Sequence, residues 1–516
     1  MTEKLFFIDQ HGCAKNQVDA ELIVGILAAE GWSRTSDPDG AALIIVNSCG
    51  FIEPAKKESI DAVLAARQAY PGAKILLAGC LAERYADDLA GSLLEADAFF
   101  GNGDLSRLPE IVRRLFAGPN SPGDAPVLRP PQRGVCAGDR PELLSFPRSA
   151  YVKITEGCDN RCSFCAIPII RGALRSRTVA EIASECAKLV ANGVYELNLI
   201  GQDLASYGRG EGDAVDEVGT VGTADGGGAV DGGGAVDGGG AMDGGGVKSP
   251  LARLLRAISA VTGSFRVRLL YLHPDNFPRD ILPVMTADPR FLPYFDIPFQ
   301  SGARSVLPRM NRRGNPEAYL ELVSDIRAAF AAAKSPYGTV ALRTTFLVGF
   351  PGETDADFAE TLGFCAKLGS MWSGAFFWSR EDGTAACDMK GRVAKKVAQA
   401  RVDAVREAQN RITPEKLAFF MGKTVEVLVE EVIPGDASDA GDASDAGDAD
   451  GSSAAIPASR LALGRAWFQA PEVDGSVVLQ YEENQRDIDG KPIGPGSVVE
   501  AVVMNVNGVD LEAVAR

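Results

Sequence analysis

Three cysteines stand at the spacing Cys-x3-Cys-x2-Cys, Cys158, Cys162 and Cys165, just after the short β-like run Tyr151-Val-Lys-Ile-Thr. Any fold of this chain has to accommodate three thiols gathered within eight residues. Thiolates are soft ligands and select zinc, copper(I) or iron–sulfur clusters. A structural zinc site closes with four ligands, and this stretch offers three with no histidine beside them. Three thiolates on a 4Fe-4S cluster leave one iron open, which a purely structural site does not need and a catalytic one does. Phe164, directly before the third cysteine, would lay a flat apolar ring beside such a centre. A zinc knuckle and three separately buried thiols are the competing readings.

With 516 residues the chain has room for about three domains. Its 46% hydrophobic and 7% aromatic content is that of a soluble globular protein. The start, Met1 to Asp9, carries acids and no long apolar segment, so it reads as a strand rather than a signal peptide. No run reaches the ~18 apolar residues of a membrane span. Ten cysteines, several at ligand spacing, suit a reducing cytoplasm better than a disulfide scaffold. The net charge of −17 is concentrated in two low-complexity tracts, with eight acids in residues 211–246 and six in 436–450. The remainder is about −3, and only the middle region, about +9 without its tract, is basic enough to attract a polyanion.

Residues 1–116 alternate strand and helix patterns. The runs Lys4–Ile8, Ala42–Val46 and Lys74–Ala78 fit strands buried on both faces of an open parallel sheet. Each is followed by a cysteine, namely Cys13, Cys49 and Cys80. Ligand sites of open α/β sheets lie outside the carboxyl ends of the strands, so these three are expected to converge. Three small residues buried at turns is the alternative. Residues 117–145, rich in Pro, Gly and Arg, read as a linker that includes Cys136. Alternation resumes over 146–414, with strand candidates at Leu197–Ile200, Arg266–Leu272, Tyr294–Ile297, Val340–Val348 and Ala375–Trp378, as in a partial (β/α) barrel. Thr178 to Glu181 reads as a capping box opening a helix whose apolar stripe holds Cys186. Cys365 sits on an apolar helical pattern and Cys387 in a polar loop; neither is given a metal. The Gly-rich acidic stretch 209–247 reads as a flexible insert, and 435–455 as another. From 415 to 516 short alternating runs predict a small antiparallel β-barrel.

The order of these parts, and several local motifs, resemble the radical S-adenosylmethionine methylthiotransferases, whose C-terminal barrel is of the TRAM type. Of that group's two branches, one modifies adenosines beside the tRNA anticodon. The other, the RimO branch, modifies an aspartate of ribosomal protein uS12. Gly12-Cys-Ala-Lys-Asn-Gln-Val-Asp19, Asn47 to Asp61, Cys165 to Gly172 with Arg175-Ser-Arg177, and Gly464-Arg465 with Ala470 to Gly475 are similar to RimO patterns. Ala14 replaces a usual proline, and Ser301 in Gln300-Ser-Gly302 replaces a usual histidine, as in the tRNA branch. Acidic residues of the C-terminal barrel, among them Glu472, Asp474, Glu482, Glu483, Asp487 and Asp489, would form a face suited to a basic ribosomal protein.

The resemblance implies two 4Fe-4S clusters and S-adenosylmethionine. Cys158, Cys162 and Cys165 would hold the cluster that generates a deoxyadenosyl radical. Cys13, Cys49 and Cys80 would hold an auxiliary cluster that delivers methylated sulfur to the β-carbon of the target aspartate. Further cofactor contacts are expected from Phe164, from Gly201 and Gln202 at a strand end, and from Gly349 and Glu353 in Gly349-Phe-Pro-Gly-Glu353. An unactivated C–H needs no ordinary acid or base, which agrees with a chain holding only His11 and His273. His273 ends a strand candidate and has two readings, a residue facing the cavity and a hydrogen-bonded structural one, the second favoured. The implied partners are uS12 and an electron donor such as flavodoxin or ferredoxin, acting on a cytoplasmic monomer. A tRNA substrate and a non-catalytic iron–sulfur or zinc-binding protein stand as alternatives.

Overall fold

The computed structural model describes residues 4–117, 125–210, 248–434 and 459–516; the acidic tracts, from residue 211 of the first and all of 435–455, lie outside the described residues. Among the described residues no helix is long and apolar enough to cross a membrane.

The unbroken apolar runs near the N-terminus form a parallel sheet because both of their faces are covered. Strands Leu43–Ser48 and Lys74–Gly79 are buried almost throughout. The six strands lie in the order Ser33–Arg34, Leu5–Gln10, Leu43–Ser48, Lys74–Gly79, Ala98–Phe100 and Val127–Leu128. All pairs are parallel. The strand order therefore reverses beside Leu5–Gln10, and the three cysteine-bearing turns leave the carboxyl ends of three neighbouring strands. That is where ligands gather in sheets of this kind. Three strands of this sheet escaped the sequence reading, the two-residue edge strand Ser33–Arg34 among them. Ala98–Phe100 is too short to show a period, and Val127–Leu128 lies in the stretch read as linker.

Strands Ser149–Lys153, Glu196–Ile200, Arg266–Leu269, Phe291–Asp296, Ala341–Val348 and Trp372–Phe377 pair in chain order, each parallel to the next. The sheet curls without closing, giving the expected partial barrel. Helix Val179–Ala191 begins at the Thr178–Glu181 capping box, and Cys186 is packed in the apolar core.

The C-terminal strands Thr424–Ile433, Ser459–Arg465, Val477–Glu482, Asp510–Ala515 and Val498–Asn507 close into a five-stranded barrel. Four of its pairings are antiparallel, and Val477–Gln480 runs parallel to Leu511–Val514. This small barrel covers the amino ends of the larger barrel's strands. Its segment Arg465–Asp474 forms the floor. Arg268 donates to the Trp467 carbonyl at 2.6 Å, Trp372 Nε1 to the Phe468 carbonyl at 2.6 Å, and Tyr294 to Asp474 at 2.6 Å. Arg343 pairs with Asp474, whose side chain has no exposed surface. The expected acidic face is corrected accordingly: Asp474 is a buried counter-ion, and Asp487, 8% exposed, caps its own turn through the amides of Asp489 and Lys491. Glu472, Glu482, Glu483 and Asp489 remain exposed.

The same junction makes the contact between the two barrels sensitive to acid. Glu196 accepts from Arg268 at 2.7 Å and Arg465 at 2.8 Å. Burial pushes its carboxyl up, but Arg465 and Arg268 outweigh that and hold it well below the usual range. A depressed carboxylate contributes stability that is complete above its unfolded pKa, about 4.3, and is lost as pH falls through the lower folded value. Acid titration followed by the fluorescence of Trp372 and Trp467 is expected to show the small barrel releasing below about pH 4. In Glu196→Gln the step tied to this carboxylate should vanish.

Candidate active site

The carboxyl ends of the two parallel sheets face each other, and all six predicted cysteines line one cavity of about 350 Å³ between them. On the first domain, the three cysteine turns touch. A Cβ at Gly50 would lie 2.6 Å from the Cys80 carbonyl oxygen, and one at Gly12 would lie 3.0 Å from the Cys49 Cβ. Glycine beside these cysteines is what lets the turns approach so closely. Cys13 caps helix Ala14–Ala29 and Cys80 opens helix Cys80–Ala90, so both sulfurs sit where a helix dipole favours negative charge. Asn102 Nδ2 and Arg171 Nη2 lie 3.4 and 3.3 Å from the Cys80 sulfur.

On the barrel side, the loop after strand Ser149–Lys153 is pinned by backbone bonds from Cys158 to Gly172 and from Cys165 to Cys162, at 3.1 and 3.0 Å. Asn160 Nδ2 reaches the Cys158 sulfur at 3.4 Å and Asp203 at 2.8 Å. His273 also lines the cavity, its Nε2 3.8 Å from the Cys162 sulfur and its Nδ1 accepting from the Asp275 amide. It therefore faces the chamber and also keeps the hydrogen-bonded structural role expected of it, capping the turn at Pro274–Asn276. Burial, with help from Arg312, pushes its imidazole down to about 4.

Burial raises the thiols: Cys49 and Cys165 to about 12, Cys158 to about 11, and Cys80 and Cys162 also upward. As free thiols these are protonated at neutral pH, so any soft metal centre they hold must displace their protons. The donors ring a space rather than a point. Among the described residues no three His, Cys, Asp or Glu side chains close on one position suited to a single ion. Two sets of three thiols around one apolar-walled chamber, with helix termini beside Cys13 and Cys80, fit two iron–sulfur clusters.

A buried ion cluster sets one half over the other. Lys153 Nζ lies 2.5 Å from Asp19 and 2.7 Å from Glu156, while Arg171 lies 2.9 and 2.8 Å from the same two carboxylates. Asp19 belongs to the first domain and the other three to the barrel. Arg171 also bonds the Asn16 side chain at 2.6 Å. Cys80 packs with Ala166 and Ile170, so the two trios meet across a few side chains.

The other expected contacts divide. Phe164 and Gln202 line the cavity, and among the described residues the buried Oε1 of Gln202 has no hydrogen-bond partner, leaving an acceptor for an ammonium group. Gly201 is buried behind that lining. Gly349 and Glu353 lie outside the lining of this cavity; Glu353 accepts from the Gly349 amide and pairs with Arg401 at 2.7 Å, tying the turn to helix Lys395–Leu417. Ser301 is likewise turned away, bonded to Thr361 at 3.2 Å, so its departure from the RimO pattern concerns packing. Among the lining residues given no role from sequence are Lys15, Arg171, Tyr271, Gln300, Arg312 and Thr345. Lys15, Arg171 and Gln300 stood inside motifs already singled out, and Thr345 begins the segment that runs to Gly349 and Glu353; Tyr271 and Arg312 carry no local signal.

Known families match each part of the chain. Residues 5–101 match Uncharacterized protein family UPF0004, 152–365 the Radical SAM superfamily, and 456–515 the TRAM domain. A ribosomal protein uS12 methylthiotransferase RimO from Treponema denticola is 53% identical over 98% of this chain and 100% of its own length. Proteins of the same name from Desulfosudis oleivorans and Sorangium cellulosum are 39% and 34% identical, covering 98% and 99% of this chain and 98% and 90% of theirs. With the cysteine geometry described above, these similarities establish that the chain belongs to the RimO family of radical S-adenosylmethionine methylthiotransferases.

Proposed function

We infer that this protein transfers a methylthio group to the β-carbon of an aspartate of ribosomal protein uS12. The observation that carries the reading is the shared cavity, which brings both cysteine trios within reach of one substrate side chain. Cys158, Cys162 and Cys165 would hold one 4Fe-4S cluster, and Cys13, Cys49 and Cys80 the other. When bound, the clusters and S-adenosylmethionine supply radical hydrogen abstraction and a transferable methylated sulfur.

The chain's own residues do the positioning. Phe51, Phe164, Ile167 and Ile170 give the chamber apolar walls, which keep water from a reactive centre. Gln202 offers its free carbonyl oxygen to the methionine ammonium, and Arg312 brings a cation to the same side. The Asp19–Lys153–Glu156–Arg171 cluster holds the two halves in register, as hydrogen transfer between close atoms demands. The reductant would be a small electron carrier such as flavodoxin or ferredoxin, and the protein would act as a cytoplasmic monomer.

The test offers both substrate classes to one preparation. Anaerobically reconstituted full-length protein, reductant and S-adenosylmethionine are incubated with uS12 and an anticodon stem-loop RNA together. Mass analysis is expected to find one methylthio group on an aspartate of uS12. Modification of the RNA alone would reject the reading in favour of the tRNA branch.

A further inference from the structure

Of the cations lining the chamber, Arg171 is neutralised by Asp19 and Glu156, and Arg312 sits on the radical side, donating to the Pro298 carbonyl at 3.2 Å. Lys15 differs from Arg171 in lacking an ion pair, a lack it shares among the described residues with Arg312, and differs from Arg312 in coming from the first domain. It is 8% exposed, and among the described residues no carboxylate lies within 4.0 Å of its ammonium. Its partner is an aromatic face: Nζ lies 3.2 Å from the centroid of the Tyr271 ring. Lys15 comes from the first domain, two residues past Cys13, and Tyr271 follows barrel strand Arg266–Leu269. The pair therefore bridges the seam between the two trios, where a substrate atom has to meet both.

Tyr271 is held for this arrangement at a conformational cost. Its φ is +66°, a region bulky residues rarely adopt, and Gln300, also on the chamber wall, has φ +70°. Such backbone outliers gather at sites of function. Two bonds keep Tyr271 there: its carbonyl accepts from the Leu204 amide at 3.0 Å, and its amide donates to Asp296 at 3.3 Å. Asp296 is in turn turned toward Arg343. The ring stays under the ammonium and one side of the cation faces the cavity.

We propose that Lys15, stacked on Tyr271, receives the side-chain carboxylate of the substrate aspartate. This rests on the aspartate reading above. A carboxylate entering a dry chamber loses its hydration and needs an opposite charge there. The carboxyl carbon is bonded directly to the β-carbon, so anchoring the carboxylate also aims the C–H that reacts. A neutral base would gain nothing from this contact, which makes Lys15 a determinant of specificity as well as of affinity.

The test is a cycle of binding constants on the reconstituted full-length protein, with iron content measured alongside. The probes are a fluorescent peptide carrying the uS12 target loop and its Asp→Asn variant. Lys15→Met is expected to weaken the aspartate peptide about 10- to 100-fold, the worth of a hydrogen bond to a charged group. It should weaken the asparagine peptide by under about threefold. Lys15→Arg should keep most of the preference for aspartate. Equal weakening of both peptides, or of neither, overturns the proposal. A role of Lys15 in balancing the charge of a neighbouring cluster would give that equal response. If Lys15→Met, Lys15→Gln and Lys15→Arg all lose iron, Lys15 is structural and the proposal also fails. Failure of the aspartate reading is recognised separately: the unaltered protein then binds neither peptide and modifies RNA.

Discussion

Cys49→Ser is expected to reduce methylthio transfer to uS12 by at least about 1,000-fold, because it removes one of a set of parts that act only together. Cys49 sits between the other two cysteine turns, with Gly12 packed on its Cβ and Gly50 on the Cys80 backbone. A serine hydroxyl occupies the same space but is a hard, weakly ionised ligand and cannot replace a thiolate on iron. Iron content should fall by about half. The barrel trio, on its own pinned loop, should still support reductive cleavage of S-adenosylmethionine to deoxyadenosine. Cys162→Ser should abolish both cleavage and transfer. This pair of variants separates the two halves of the chamber by chemistry. Transfer by Cys49→Ser at the unaltered protein's rate would remove the first domain from the reaction.

The largest effect on stability is expected from Lys153→Met. Lys153 is 1% exposed and lies against Asp19 across the domain boundary and Glu156 within the barrel. Removing the ammonium leaves two buried carboxylates to share Arg171. Breaking a buried network from one side costs on the order of 3–5 kcal/mol, most of it the uncompensated charge left behind. The loss should appear as a lower urea midpoint for the transition in which the first domain parts from the barrel. Transfer should fall in step, since the two trios face each other only while that contact holds. A double variant, Lys153→Met with Asp19→Asn, should recover part of the stability by removing one stranded charge. An unchanged midpoint in the single variant would mean that the domains are held by their apolar contacts alone.

Much of this architecture could be read before any coordinates. The runs at Lys4–Ile8, Ala42–Val46 and Lys74–Ala78 became strands because near-continuous apolar sequence has to be covered on both faces. Thr178 and Glu181 formed their capping box because that motif closes within one helical turn. Where reading failed, the determinant was remote. Asp474 looked like surface charge, and Arg343 and Tyr294, over a hundred residues away, make it a buried counter-ion.

By itself the sequence determined what is local: the Cys158–Cys165 trio, whose three donors need only eight residues of loop, and the periodicities that make each sheet. Only the tertiary structure decided that Cys13, Cys49 and Cys80 meet, since donors 36 and 31 residues apart come together only when strand order places their strands side by side. It also decided that Lys15 ends over Tyr271 with, among the described residues, no carboxylate within 4.0 Å. Whether a charge is paired depends on what every other segment brings to the same point, and no window of sequence contains that information.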